Sequence, residues 1–278
     1  MDKYGGAEFR LPPFEDIWKP AFRIPFISYF LLFQTVAYCI RTYAWKSYSG
    51  FKQYRLHNLT LCFIHSSITG VCSFVFSITH QQIMLEDTIH WYSPWAVQLP
   101  ILSIAYFVCD TMDMLRHEIS RWTIELLFHH IASTFVFTIP ILTRKFTPYA
   151  YWALLMEVNS IFLHLRSLMQ ISGYSDLKQS LFRLIRFTNI ITFVLFRFAV
   201  QTWQINWAWM NYHRFHIFYM RVAFIGGGFF LIVNAILFVR VLASDGYLGE
   251  FGRKHTAIGR FIFYFFSISS MNDLSSQP

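Results

Sequence analysis

Apolar residues run along this chain in long blocks, and charges fall between the blocks rather than inside them. Five stretches contain no Asp, Glu, Lys or Arg: Ile24–Ile40, Leu56–Leu85, Thr88–Cys109, Leu126–Thr143 and Val222–Val239. Each approaches or exceeds the ~20 residues with which a helix crosses a hydrocarbon core. Two further blocks, roughly 147–169 and 183–204, are apolar but interrupted, the first by Glu157 and the second by Arg197. The pattern predicts an all-α, multi-pass transmembrane helical bundle of about six to seven spans. It also sets an organisation: residues 1–47 as N-terminal lead-in and first span, 48–245 as the membrane domain, and 246–278 as a flexible cytosolic tail ending in SSMNDLSSQP. The first span is expected to be retained, because polar and mixed residues precede it and no small-x-small cleavage site follows. No internal repeat is visible.

Composition agrees with this class. The 278 residues are 55% hydrophobic and 20% aromatic, and only 14% are charged, with a mean hydropathy of +0.39. Soluble domains carry about 25% charged residues, so this chain has too little charge to coat a soluble surface. The net charge of +8 would suggest nucleic acid in a soluble protein. Here it reads as the excess of Lys and Arg that marks cytoplasmic flanks. Alternate flanks of seven spans hold fourteen against eight basic residues, the richer set including Arg41, Arg55, Arg183 and Arg240. That bias places the C-terminus in the cytosol. The four cysteines all fall within predicted spans, which suggests core packing and neither a disulfide framework nor a metal site. Asn58-Leu-Thr60 fits the N-glycosylation pattern, but at a membrane boundary on the cytosolic side.

The chemistry lies in the exceptions. A charged group at mid-membrane costs roughly 2.5–3.5 kcal/mol on insertion scales, so such groups face the bundle interior. In 154–169, helical spacing puts Glu157, Ser160 and His164 on one face, with Asn159 and Arg166 on another. Asp110, Asp113 and His117 share a face at the end of the third span. Glu125 and His129 stand at i and i+4 in the fourth, followed by His130. Arg183, Arg186, Asn189 and Arg197 form a stripe on the sixth, and His65 and Thr69 sit within the second. Stripes on several helices should converge on one interior site lined by Asp113, His129, His130, Glu157 and Arg197. Glu157 paired with an arginine could equally fix helix register, and Arg183 and Arg186 could snorkel to headgroups. The Gly226–Gly228 run suits close helix packing.

Five short motifs occur in a set order: DTMDML at 110–115, LLFHHIAS at 126–133, LLMEVNSIFLHLR at 154–166, FVLFR at 193–197 and VLASD at 241–245. In this order the chain resembles the TLC family, named for TRAM, LAG and CLN proteins, over about residues 48–245. It looks most like the small TLC-domain proteins that regulate membrane lipid composition and plasma-membrane fluidity. The resemblance implies a multi-pass plasma-membrane protein that limits incorporation of polyunsaturated chains into phospholipids such as phosphatidylethanolamine, without an enzymatic activity of its own. Its partner would be a membrane phospholipid or fatty acyl lipid, with no nucleic acid and no resident cofactor. The alternative is an acyl-CoA-dependent lipid acyltransferase related to the ceramide synthases, whose His-His pair is followed further on by two acids. The pair here is His129–His130, the first acidic position is Glu157, and the second is Ser160. On that reading His129, His130 and Glu157 are catalytic, one His and one carboxylate sharing general acid–base work, and acyl-CoA is a co-substrate. Asp110, Asp113, Ser160, His164, Arg186 and Arg197 are candidate lipid-binding residues on either reading. A seven-helix receptor is a third class, disfavoured by loops that offer no disulfide pair.

Overall fold

The computed structural model describes residues 6–117 and 121–249; the predicted tail from 250 onward lies outside the described residues. Within them all regular secondary structure is helical. The long helices are α1 (Pro20–Tyr43), α2 (Gly50–Thr79), α4 (Gln98–His117) and α5 (Arg121–Thr143). The short α3 (Gln81–Glu86) follows α2. Next come α6 (Thr147–Leu154) and α7 (Met156–Ser172), then a single turn, α8 (Tyr174–Leu177). α9 (Gln179–Thr192) passes through a π-helical stretch, Phe193–Ala199, into α10 (Val200–Met210). α11 (Ile217–Arg221) passes through a second π stretch, Val222–Gly226, into α12 (Gly227–Ser244). By contacts the chain separates into residues 1–231 and 232–278. The first unit holds everything described below; in the second, α12 continues to Ser244 with Ile232, Ile236 and Val239 exposed.

Among the described residues, five helical stretches are long and apolar enough to cross a membrane: Pro20–Tyr43, Gly50–Thr79, Thr123–Thr143, Gln179–Met210 and Ile217–Ser244. Their outward residues, such as Ile24, Leu31, Val71, Val75, Leu184, Phe187 and Ile225, are large, apolar and exposed. That suits a lipid-facing surface, since helices satisfy their backbone groups internally. The other two expected spans take a different form. The charge-free run from Thr88 does not start a helix; α4 begins only at Gln98, because Pro94 disfavours helix in the residue before it. The 147–169 block is two helices broken at Leu155. Both segments are enclosed by protein, α4 between α1 and α5 and α7 between α2 and α9. A helix walled by protein tolerates the polar residues that lipid would not.

The apolar core lies where α1, α2, α4 and α5 meet, around Phe33, Leu61, Ile101, Ile104, Phe107 and Phe137. His65 is absorbed into it. Its ring stacks on Tyr106 at 3.8 Å and its Nε2 lies 3.2 Å from Ser103 Oγ. Of the cysteines, Cys62 and Cys109 are buried as expected, whereas Cys39 and Cys72 are exposed on helix surfaces. Asn58 is buried and bonded to Asp110, so the glycosylation pattern is unreachable in the fold.

The described residues ahead of α1, from Gly6, pack against the bundle. They form two 3-10 turns, Ala7–Phe9 and Phe14–Trp18. Glu8 is buried and approaches Lys145 Nζ at 3.5 Å and His90 Nδ1 at 3.8 Å. Lys145 is fully buried, although its position in a short loop reads as a surface charge. The Tyr219 hydroxyl donates to Arg10 O at 2.6 Å, and His216 N donates to Glu8 O at 2.8 Å. Phe14 packs on Phe135 and Phe218. The segment therefore straps α5 to α11.

Candidate functional site

The interior polar groups meet around α7. Its glycine-mediated contact with α2 comes first. A Cβ at Gly70 would stand 2.9 Å from the backbone carbon of Glu157 and 2.9 Å from Val158 N. Only glycine lets the two backbones approach so closely, as at small-residue crossings in membranes. One turn before it on α2, Ser66 Oγ donates to Glu157 Oε2 at 2.7 Å. Glu157 is thereby held at the crossing, within electrostatic reach of His129, His164 and Arg197.

On the α9 side, Asn159 is fully buried and its amide serves two helices. Nδ2 donates to Asn189 O and Oδ1 at 3.0 Å each and lies 3.1 Å from Thr192 Oγ1. Oδ1 accepts from Arg197 Nε at 2.7 Å, and Ser160 Oγ accepts from Arg197 Nη2 at 2.8 Å. Arg197 also lies over the Phe193 ring. The buried guanidinium is thus held by the very asparagine that the helical wheel puts on another face. α7 is buried on both flanks, so two adjacent faces point inward. Arg197 sits in the first π stretch, where the wider turn breaks the α count that joined it to Arg183 and Arg186. Arg183 is exposed, and Arg186 is part-exposed with its guanidinium over Phe182.

The histidine pair and the aspartates occupy the α4–α5 side. His130 is buried, stacks on Phe107 at 5.0 Å, and places Nδ1 3.2 Å from Thr111 Oγ1. Its Nε2 is 3.7 Å from Asp110 Oδ2, while Asp110 Oδ1 accepts from Asn58 Nδ2 at 2.6 Å. His129 is less buried and meets the edge of Phe230 at 5.2 Å. Asp113 stands apart, paired with Arg41 of α1 and 3.5 Å from His117 Nδ1. The structure therefore gathers His129, Glu157, Ser160, His164 and Arg197 into one region and ties His130 to Asp110 beside it. It leaves Asp113 and Arg186 in other surroundings. Asn58 and Ser66 are members that sequence reasoning missed as site residues, while Asn159 was placed on another face and Asn189 only within the stripe of the sixth span. Their signal was present as amides and a hydroxyl inside apolar helices, at the spacing of the charged residues.

Next to this centre lies an apolar cavity. It is walled by α5, α6, α10, α11 and the second π stretch, with Val136, Phe137, Ala153, Trp207, Phe215 and Val222 among its lining. Its interior offers about 90 Å³ to a water-sized sphere, within a concavity of about 860 Å³ that opens to the exterior. None of the five residues expected to share a chamber lines this one. Instead their neighbours do: Met156 beside Glu157, Ser133 one turn beyond His129, Gln201 one turn beyond Arg197, and Phe230 against His129. Phe146, at the outer wall, adopts φ 61°, which is rare for a bulky residue. Its amide donates to Ile89 O and its ring packs on Phe215 and Tyr219. A reciprocal pair, Gln204 Nε2 to Tyr149 O and Tyr149 OH to Gln204 O, ties α10 to α6. Gly227 allows α10 close, since a Cβ there would meet Ile205 Cγ1 at 2.7 Å.

The arrangement has the general form of a small-molecule site, an apolar cavity with polar groups beside it. Known sequences resemble the chain over most of its length. The TLC-domain family model matches residues 55–243. A TLC domain-containing protein 2 of Danio rerio is 34% identical over 194 residues, covering 69% of this chain and 77% of the relative. The human protein of that name is 26% identical over 216 residues, covering 78% and 81%. TLC domain-containing protein 1 of Gallus gallus is 30% identical over 200 residues, covering 69% and 74%.

Proposed function

Since this chain belongs to the TLC-domain family, we propose that it regulates the acyl composition of membrane phospholipids, and with it membrane fluidity. It would do so by holding an acyl-bearing lipid in the cavity beside the polar centre. One observation carries the reading: an apolar cavity and a polar centre built on Glu157, buried Arg197 and His129 lie side by side within the membrane-spanning part. The acyl tail runs along Phe137, Trp207 and Val222, and its carbonyl or headgroup end turns toward His129 and Arg197. Arginine suits a phosphate or carboxyl end, because its planar fork pairs with two oxygens at once. The outcome in the cell is reduced incorporation of polyunsaturated chains into phosphatidylethanolamine and similar lipids, at the plasma membrane, with the C-terminus in the cytosol. An epitope placed at the C-terminus should accordingly be reached by antibody only after the cells are permeabilised; staining of intact cells would reverse the orientation.

A second reading has its own support. His130 Nε2 faces the Asp110 carboxylate at 3.7 Å, the pairing that orients a histidine for general base work. On that reading the protein transfers an acyl group from acyl-CoA.

One complementation series tests both. In cells lacking the protein, the wild type should restore the phospholipid acyl profile. Gly226→Leu should not. A Cβ at Gly226 meets only Val136 Cγ2, at 4.0 Å, so leucine enters the cavity without straining the helix. His130→Ala separates the readings: loss of a general base costs ~10²–10⁴ in rate, which abolishes complementation by an enzyme and spares that by a binding protein. Full complementation by Gly226→Leu would remove the cavity from the function.

A further inference from the structure

Several polar side chains along the cavity wall are bonded within the protein. Gln204 and Tyr149 bond to each other's backbone carbonyls, and the Tyr219 hydroxyl donates to Arg10 O. Gln201 is 4% exposed, and its Oε1 is buried without a hydrogen-bond partner. An acceptor in that condition keeps its full desolvation penalty, and protein interiors seldom tolerate it. Its position is not incidental. Gln201 lines the cavity one turn from Arg197, and Gln204 and Ala208 follow it on the same face of α10.

We propose that the cavity selects an apolar chain that carries a hydrogen-bond donor, a hydroxyl or an amide N–H, and that Gln201 Oε1 accepts from it. The inference rests on the lipid-binding reading above and narrows it. Ester carbonyls, ethers, double bonds and phosphodiesters offer acceptors only, so none of them satisfies Gln201 Oε1. A hydroxylated or amide-linked chain does. The donor sits a few carbons from the end of the ligand that approaches Arg197, and the remaining chain lies against Trp207, Ala208 and Phe215.

The test uses the purified full chain in detergent and tritiated hexadecan-1-ol as the reporter. Competitors are unlabelled hexadecan-1-ol, its methyl ether, hexadecanamide and N,N-dimethylhexadecanamide, each corrected for partition into protein-free micelles. The alcohol and the primary amide should compete roughly tenfold more strongly than their methylated counterparts, as one hydrogen bond to a buried acceptor allows. Their order then tells whether hydroxyl or amide is preferred. Gln201→Leu should bring the alcohol down to the level of the ether and leave the ether unchanged. Equal competition by alcohol and ether in the wild type overturns the inference and spares the broader reading, because a chain still binds. So does discrimination that persists in Gln201→Leu. Tighter binding of the ether would mean that the amide nitrogen faces the cavity, and would likewise overturn it. No saturable binding by any probe would sink this inference and the lipid-binding reading together. Should the variant fail to fold, the wild-type comparison still decides.

Discussion

Asn159→Leu should cost the protein about 3–5 kcal/mol, the range seen when a buried charge loses a partner. Asn159 is the one side chain that contacts Arg197, Asn189 and Thr192 together. Leucine matches it in size but neither donates nor accepts. The change leaves Arg197 Nε without its acceptor and removes the amide that links α7 to α9. Thermal melting in detergent would show the loss as a markedly lower midpoint. A double-mutant cycle separates the network from mere packing. If the cost comes from the guanidinium losing this acceptor, Asn159→Leu combined with Arg197→Met should melt well above the sum of the two single effects. Strict additivity, or a loss under about 1 kcal/mol for the single variant, would show that the pairing matters little.

Gly70→Leu should be nearly as damaging for a different reason. The atoms that would meet its Cβ are the backbone of Glu157 and Val158, which cannot swing aside as a side chain can. The two helices must separate, and Ser66 then draws away from Glu157. Overpacking in a tight interface costs typically 1–3 kcal/mol and occasionally more; with backbone as the obstacle, about 3 kcal/mol is expected. Gly228→Leu is the control, since nothing lies within 4 Å of a Cβ there. Comparable melting of the two variants would contradict the account of the crossing.

The membrane class and the helical architecture were legible because hydrocarbon imposes length and apolarity on each span. α1, α2 and α5 follow charge-free blocks, and the Gln179–Met210 helix follows the interrupted block at 183–204. The Thr88 run misled because absence of charge does not make a helix, and Pro94 moved the start of α4 to Gln98. Glu157, Ser160 and Arg197 could be picked out because charge in an apolar run is conspicuous. Asn159 could not, because a wheel assigns one inward face to a helix, while α7 is flanked by protein on two. The π stretch at Phe193–Ala199 leaves no clear mark in sequence, and it alters the phase that relates Arg186 to Arg197. Glu8 and Lys145 form a contact 137 positions apart, and neither has local context that announces burial. The cavity was expected among the charged residues. It lies one turn beyond them, walled in part by the aromatic rings of Phe137, Trp207 and Phe215.

The central claim is that the cavity holds a lipid acyl chain beside the polar centre. Mass spectrometry of the lipid that accompanies the purified protein tests it most directly. The account predicts about one acyl-bearing lipid for each wild-type chain, and its loss from Gly226→Leu in protein that still melts cooperatively. Wild type and Gly226→Leu carrying the same lipid in the same amount would contradict it.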